Sequence, residues 1–388
     1  MAHYNTILHQ LLSLVPRHEF ENRVRQLQGD RYVKKFSSWN QLTVLLYAQA
    51  SGKSSLRDIQ NALASQTSHL YHLGLPDSIA RSTMSDANAK RDHRIYEDLF
   101  HQLLKRCQKM APHHKFQFQN PLVSIDSTVI ELSIESFPWA RSARAHGALK
   151  LHYGLDHSGN IPNFVAATAG KVQDITFART GFPVLPDSIY CFDRGYVDGA
   201  WFGRIHDEKA FFVTRAKRRM RFRRIVNRPL PKDPRVISDR EVESAIVTGA
   251  DGTACRMRLI AYLDPISGKR FRFLTNNLVL PAVTIAEIYK SRWQIEAFFK
   301  WIKQNLRIKT FFGTSKNAVL TQIWIAMCYY LLLAYIKFQS RYEHSLFYLH
   351  RLVRETLLDR LSLIDLLSLS ERRISRIRDP EPQLLLAV

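Results

Sequence analysis

The chain has 388 residues, of which 46% are hydrophobic, so it is long enough for two or three modules and apolar enough to bury a core. Its 56 Lys and Arg against 34 Asp and Glu give a formal net charge of +22, which indicates a polyanionic partner. Nucleic acid is the natural candidate, and a membrane surface is the alternative. The N-terminal segment MAHYNTILHQLLSLVPRHEF has no basic leader and no small-residue cleavage site, so we expect a cytoplasmic protein.

The cysteines and histidines give no sign of a zinc site or a disulfide framework. The four cysteines, at positions 107, 191, 255 and 328, have no CxxC spacing and are predicted to be buried thiols. His146, His152 and His157 do not match a zinc spacing, so no histidine is predicted to bind metal.

Residues 1 to about 115 are predicted to be helical. Apolar residues recur at helical spacing, and Ser54 or Ser55 is expected to cap one of the helices. The predicted helices are Ile7–Val15, Trp39–Ala50, Leu56–Ala64, Ser82–Lys90 and Ile95–Lys109. Short helices with exposed cations suit DNA recognition, although a helical dimerisation module fits the same pattern.

From about residue 118 the pattern changes to strands with intervening helices. Two short β-branched runs each contain an aspartate, Asp126 in LVSIDSTVI (122–130) and Asp193 in IYCFDRGY (189–196). The other predicted elements are a hairpin of Leu149–Asp156 and Ile161–Ala169, helices near Ile175 and at Ala200–Glu208, and a strand at Phe211–Thr214. An aspartate in a buried run is costly unless a metal or a cation compensates it. The alternative is that Asp193 caps the turn that follows it.

Residues 215 to 280 are predicted to be β-rich and strongly basic. Short strands are predicted at Glu243–Val247, Met257–Tyr262 and Arg270–Leu274. The run from Arg215 to Arg228 interleaves cations with apolar residues. Its Arg218, Arg219, Arg223 and Arg224 are predicted to contact phosphates, and a solvated charged face is the alternative.

Residues 284 to 306 predict one long helix with a polar edge. At about 100° per residue, four polar side chains fall within one narrow arc, namely Tyr289, Arg292, Glu296 and Lys303. The adjacent stripe is apolar and predicted to be core: Ile288, Ile295, Phe299, Ile302 and Leu306. Thr284 with Glu287 is interpreted as a capping box at the start of the helix. An amphipathic helix with solvated charges is the alternative.

The remaining residues, 313 to 388, are predicted to be helical, with a basic stretch at Arg372–Arg378. Ala318–Ile336 is nearly all apolar and close to membrane-spanning length. Because polar residues interrupt it, we predict a buried helix rather than a membrane span.

The spacing Tyr289-x2-Arg292-x3-Glu296-x6-Lys303 resembles the signature of DDE transposases of the insertion-sequence-four family. The resemblance implies an α/β, ribonuclease H-like catalytic domain at 116–312, with a β-rich insertion at about 215–280. It also implies that Asp126, Asp193 and Glu296 are the catalytic residues and hold two Mg²⁺ or Mn²⁺ ions. Oxygen ligands of this kind favour those ions over zinc. Tyr289, Arg292 and Lys303 would contact phosphates of the element's end.

The resemblance further implies a helical DNA-end-binding region at 1–115 and a helical C-terminal region at 313–388. The expected function is to bind the terminal inverted repeats, cut them, and transfer the freed 3′ hydroxyl into target DNA. The expected state is a homodimer on DNA, associated with the nucleoid. The alternatives are a nuclease on the same fold without strand transfer, or a non-catalytic DNA-binding regulator. A tyrosine recombinase is disfavoured because the chain has no His-x-x-Arg.

The chain departs from the family pattern in one respect. Some relatives use a tryptophan of the insertion to receive a base flipped out near the cut, but no Trp occurs between Trp201 and Trp293 here. Trp293 or an aromatic residue of the insertion, such as Phe271, Phe273 or Tyr262, is hypothesised to fill that role.

Overall fold

The computed structural model describes residues 5–140, 147–308 and 310–367. Two compact units are present, one of Met1–Ala111 with Lys303–Val388 and the other of Pro112–Ile302. The helical regions predicted at the two ends of the chain therefore share one unit. The predicted basic stretch Arg372–Arg378 and His146 lie outside the described residues.

The helical unit contains every helix predicted in its N-terminal part, with ends shifted by no more than two residues. Its helices are α1 (Ile7–Ser13), α2 (Arg17–Gln26), α3 (Ser38–Ser51), α4 (Leu56–Ala64), α5 (Thr67–Leu70), α6 (Arg81–Lys90), α7 (Arg94–Met110), α12 (Lys316–Gln339) and α13 (Leu346–Glu355). The predicted cap is Ser55, which accepts a hydrogen bond from the Asp58 amide. Helix α2 was not predicted because it buries only Phe20 and Val24, too few apolar residues for a visible period.

Helix α12 is the predicted apolar helix of the C-terminal region. It is long and apolar enough to cross a membrane, but 94% of its most apolar window is buried inside its unit. It packs against α3, α6, α7 and α13. A helix that is apolar on all sides needs neighbours on all sides, so the prediction of a buried helix is confirmed.

The second unit contains a mixed sheet covered by helices. Its elements are β1 (Leu122–Leu132), β2 (Gly147–Asp156), β3 (Ile161–Ala169), α8 (Asp174–Gly181), β4 (Ile189–Cys191), α9 (Gly199–Asp207), β5 (Phe211–Arg215), β6 (Arg223–Asn227), β7 (Val236–Glu243), β8 (Met257–Leu263), β9 (Arg270–Thr275), α10 (Ala282–Ser291) and α11 (Trp293–Asn305), of which α11 belongs to this unit up to Ile302. The nine strands have the order β3-β2-β1-β4-β5-β9-β8-β7-β6. Strands β1, β4 and β5 are parallel, and the other pairs are antiparallel.

Both faces of the central strands are apolar, as is usual for parallel strands covered by helices. Val123 and Tyr190 belong to a core that includes Trp201 of α9. Their neighbours Leu122 and Ile189 belong to a second core that includes Ile285 of α10. Successive residues of a strand point to opposite faces, so the two cores lie on opposite sides of the sheet. All four cysteines are free and buried, as predicted.

Within the insertion, the strands predicted at Met257–Tyr262 and Arg270–Leu274 are confirmed as β8 and β9. The strand predicted at Glu243–Val247 is wrong, because the strand of this segment is β7, which ends at Glu243. The sequence pattern was misleading because β7 buries a charged residue, Asp239, where an apolar one is expected. Strand β6 was not predicted because its side chains are almost all exposed.

The predicted helix at 284–306 is interrupted at Arg292, where α10 ends and α11 follows. The capping box is wrong: α10 begins at Ala282, after Pro281, so Thr284 and Glu287 lie inside the helix. Pro281 is the N-cap residue, and no side chain caps this helix start. The predicted apolar stripe, Ile288, Ile295, Phe299, Ile302 and Leu306, is buried as expected.

Candidate active site

The parallel pairing of β1 with β4 places Asp126 and Asp193 at the same level of the sheet. Ser124 lies opposite Cys191 in this pair, and each aspartate is two residues further along its own chain segment. Asp126 is on β1 itself, and Asp193 lies two residues after Cys191, the last residue of β4. Asp126 is therefore part of a strand, whereas Asp193 lies just beyond the end of one.

Asp193 also caps the short turn that follows it. Its Oδ1 accepts a hydrogen bond of 2.8 Å from the Gly195 amide, and the Thr214 hydroxyl donates to its main-chain oxygen. The interpretation of Asp193 as a cap is thus correct. The cap uses one carboxylate oxygen and fixes the side chain, which leaves the other oxygen for a second role.

Arg292 joins Asp126 to Glu296. Its Nη1 lies 3.4 Å from Asp126 Oδ2, and its Nη2 donates to Glu296 Oε1. The Arg292 side chain is 16% exposed, whereas the Glu296 side chain is 57% exposed. Burial lowers the pKa of Arg292, but the hydrogen bond to Glu296 and the charges around it raise the pKa overall. The break between α10 and α11 occurs at this residue.

Asp126 is desolvated and lies among other carboxylates. Burial raises its pKa to about 6, and the charges of Asp193 and Glu296 act in the same direction. The Ser127 amide and Arg292 oppose this rise. Because Asp193 and Glu296 both influence Asp126, the structure brings the three predicted acids into one electrostatic cluster.

A fourth carboxylate, Asp174, lies beside this cluster. Its Oδ1 accepts from the Ser127 hydroxyl at 2.7 Å and from Lys150 Nζ at 3.1 Å. Burial, and then the negative charges of Asp174, Asp126 and Asp193, raise the pKa of the buried Tyr196 phenol. Asp174 was not predicted, since an acid in the first turn of a helix is commonplace and its contacts cross from one strand to another.

A groove of about 650 Å³ opens beside Arg292 and Glu296 within this unit. Phe271, Phe273 and Tyr289 line its wall, and the Phe273 and Tyr289 ring centroids are 5.2 Å apart. Trp293 stands at its rim and is 58% exposed, which excludes a core role for that side chain. Arg215 adds a cation 4.6 Å from the Phe271 ring centroid. The groove thus combines aromatic faces with positive charge.

The predicted phosphate-binding residues lie at different places. Tyr289 is half-buried in the groove wall, and Lys303 lies in the last turn of α11, seven residues after Glu296. Arg218, Arg219, Arg223 and Arg224 are all exposed, in the turn before β6 or on β6 itself. Arg223 forms an ion pair with Glu243, so part of its charge is already balanced. Met220 and Phe222 of the same run pack against the core.

Comparison with known proteins identifies the class of protein to which this arrangement belongs. Residues 117–332 match the model of the Transposase DDE domain, and residues 3–76 match a Domain of unknown function (DUF4372). The match to the DDE domain covers more than half of the chain. The chain therefore belongs to the transposases that have a DDE domain.

Two individual relatives and one solved structure are similar to this chain. The putative transposase y4zB of Sinorhizobium fredii is 33% identical over 66% of this chain and 72% of its own length. The probable transposase for insertion sequence element IS5377 of Geobacillus stearothermophilus is 27% identical over 67% of this chain and 68% of its own length. A cryo-EM structure of the piggyBac transposase synaptic complex with hairpin DNA gives a TM-score of 0.44 at 10% identity, covering 97% of this chain and 82% of that one.

Proposed function

We propose that this protein is a transposase of the insertion-sequence-four type that binds the ends of a DNA element, cleaves them and joins them to target DNA. The observation that carries the proposal is the cluster in which Arg292 contacts Asp126 and Glu296 while Asp193 lies level with Asp126 on the neighbouring strand. The family match and the net charge of +22 support DNA as the substrate. The strand order β3-β2-β1-β4-β5 supports a ribonuclease H-like core.

The DDE family generally uses divalent metal ions, and the donor set here suits Mg²⁺ or Mn²⁺. Asp126, Asp193 and Glu296 offer only carboxylate oxygens, and desolvated Asp126 needs compensating positive charge. Among the described residues, no three His, Cys, Asp or Glu side chains are placed to hold an ion as they stand. Without an ion, Arg292 supplies the positive charge that compensates Asp126 and Glu296. When bound, the ions would activate the attacking oxygen and stabilise the leaving oxygen.

The proposed reaction has two phosphoryl-transfer steps. A water oxygen attacks a phosphorus at the element's end, the bond to the 3′ oxygen breaks, and a 3′ hydroxyl and a 5′ phosphate result. The 3′ hydroxyl then attacks a phosphorus of target DNA, forming a new phosphodiester and releasing the target's own 3′ hydroxyl. Arg292, with five N–H donors in a rigid fork, is suited to hold a phosphate while it orients Asp126 and Glu296. Tyr289 and Lys303 are proposed to contact further phosphates.

The decisive experiment uses the coding region with its own flanking DNA on a supercoiled plasmid, incubated with purified protein and Mg²⁺. We expect excision at inverted repeats and joining of the freed ends to a second plasmid. Cleavage without joining would favour the nuclease alternative. Binding without either reaction would favour the non-catalytic regulator. Gel filtration of the DNA complex would test the proposed homodimer.

The exposed arginines of the insertion are proposed to contact the DNA backbone. Replacing Arg218, Arg219 and Arg224 with Gln is expected to weaken binding to every duplex, because phosphate contacts do not depend on sequence. Each lost contact should also make the fall of log affinity with log salt less steep, by about 0.9 in slope. Titrations at several salt concentrations would measure this slope. Arg223→Gln is the matched control, since its pairing with Glu243 predicts a smaller change. An unaltered slope in the triple variant would assign the run to a solvated face.

The aromatic groove beside Arg292 is proposed to receive a base displaced from the duplex near the cut. A 2-aminopurine beside the cleavage site mapped in the plasmid assay is expected to become brighter when the complex forms. Trp293→Ala or Phe271→Ala should reduce that signal, because base stacking on an aromatic face contributes about 1–3 kcal/mol. Phe347→Ala, at an exposed aromatic of the helical unit, is the control. Fluorescence that never rises with the wild-type protein would exclude base displacement.

A further inference from the structure

Helix α6 forms a ridge between two grooves of the helical unit. One groove, of about 750 Å³, lies between α6 and the loop Arg31–Phe36. The other, of about 670 Å³, lies between α6 and the start of α4. Ser82 and Asp86 line both grooves, so the exposed face of α6 separates them. Residues 3–76 and 117–332 match family models, and α6 lies between these stretches.

The walls of both grooves are positively charged. Five Lys and Arg side chains line the first groove and two line the second, whereas Asp86 and Asp92 are the acids among their lining residues. Lys34, Lys35 and Arg57 are exposed and have no acidic side chain within 4 Å in the described part of the chain. Cations without a protein counter-charge are available to an external anion.

The ridge itself has short polar side chains. Ser82, Thr83 and Ser85 are exposed, and Asp86 is the acid of α6. Such side chains allow a close approach to base edges: hydroxyls donate or accept, and a carboxylate accepts from the amino group of cytosine. An α-helix is about 10–12 Å in diameter, which matches the major groove width of about 12 Å.

The opposite face of α6 is held by buried hydrogen bonds. Gln41 Nε2 donates to Asn88 Oδ1 at 2.8 Å, and Asn317 Nδ2 donates to the main-chain oxygen of Asn88 at 2.9 Å. Arg91, just after the helix, donates to Gln41 Oε1 at 3.0 Å. A largely buried polar network of this kind fixes the orientation of a helix, so α6 is presented as a rigid element.

The loop beside α6 contains an unusual residue. Tyr32 is 86% exposed and has a positive φ of 61°, in a turn where the Val33 amide donates to the main-chain oxygen of Asp30 at 3.1 Å. Arg31 Nη2 donates to the Tyr32 hydroxyl at 3.0 Å, and the guanidinium lies 4.9 Å from the ring centroid. The turn therefore places an aromatic ring and a cation at the wall of the first groove.

We propose that the exposed face of α6 enters the major groove of duplex DNA and that the two flanking grooves receive the phosphate strands on either side. Ser82, Thr83, Ser85 and Asp86 contact base edges, while Lys34, Lys35 and Arg57 contact phosphates. This inference rests on the proposed function, since it assigns the recognition of the DNA end to one face of the helical unit. It separates residues that determine sequence preference from residues that determine affinity for any duplex.

The test is selection by the full chain from a pool of short duplexes with a random central sequence, followed by salt titrations on the enriched duplex. We expect Thr83→Ala/Ser85→Ala to lose about tenfold in affinity for that duplex, with the salt slope unchanged and a different sequence enriched. Lys34→Gln/Lys35→Gln should make the fall of log affinity with log salt less steep, by about 0.9 in slope per lost contact. This variant should still enrich the same sequence as the wild type. Tyr32→Gly should weaken binding without lowering the melting temperature, because glycine tolerates the positive φ.

The matched control is Lys105→Gln/Lys109→Gln, which removes the same charge from exposed positions of α7 outside both grooves. Thermal melts verify folding, and alanine at exposed helix positions is expected to preserve it. The inference is overturned if the α6 variant enriches the wild-type sequence with wild-type affinity, or if the Lys34 and Lys35 variant behaves like the control. If the wild-type chain binds no duplex at all, the proposed function fails as well, so the two failures are distinguishable.

Discussion

Asp126→Asn is expected to abolish cleavage and strand transfer while leaving the affinity for DNA within a factor of about three. Removing one catalytic carboxylate lowers rates by several orders of magnitude in sites where the groups act as a unit. The surfaces proposed for DNA recognition do not include Asp126, so binding is expected to persist. The measurement is the plasmid assay with Mg²⁺, together with a gel-shift titration on the same DNA. Asp193→Asn and Glu296→Gln are expected to give the same result.

Stability provides the internal control for this prediction. A carboxyl whose pKa is raised from 3.8 to about 6 makes the folded state lose stability as pH rises through that interval. Asp126→Asn removes this penalty, so its free energy of unfolding at pH 7.5 should exceed that of the wild type by about 1–3 kcal/mol. Urea unfolding at pH 7.5 and pH 4 would measure it, and the difference between the proteins should shrink at pH 4. Near-normal cleavage by the Asn variant would remove Asp126 from the site.

The local pattern predicted most of what positions the site. Strand β3 and helix α4 were predicted with the ends that the structure gives them. In both segments the spacing of apolar residues and the flanking turn residues indicated the same element. Asp126 and Asp193 stood out because a charged residue interrupted an apolar β-branched run. The polar edge of α10 and α11 stood out because its residues share a helical face. Each of these signals lies within one short, continuous stretch of sequence.

Other features depended on contacts that local sequence does not encode. The interruption at Arg292 and the start of α10 at Ala282 were not visible in the helical pattern. The contacts of Asp174 with Ser127 and Lys150 join three elements. Strand β7 was hidden because its buried Asp239 has a partner on another strand, and pairing across strands overrides a preference for apolar residues. Apart from the start of α10, these failures involve charged groups that tertiary contacts compensate.

The Asp239–Arg258 pair is the clearest such group. The two residues are each 3% exposed, and Arg258 Nε donates to Asp239 Oδ1 at 2.7 Å. Arg258 also donates to the main-chain oxygen of Leu280, just before α10. The pair therefore joins β7 and β8 of the insertion to the chain that enters the helix carrying Tyr289.

Asp239→Ala is expected to lower the free energy of unfolding by about 3–5 kcal/mol, because it leaves the Arg258 guanidinium buried without a counter-charge. Asp239→Leu/Arg258→Met should recover most of that loss, since it removes the buried charge altogether. Asp233→Ala is the matched control: it breaks the Asp233–Arg235 pair of the same insertion, which solvent screens, so its loss should be much smaller than that of Asp239→Ala. Urea unfolding of the four proteins would measure these values. A loss in Asp239→Ala no larger than that in Asp233→Ala would show that the insertion is held to α10 by apolar packing alone.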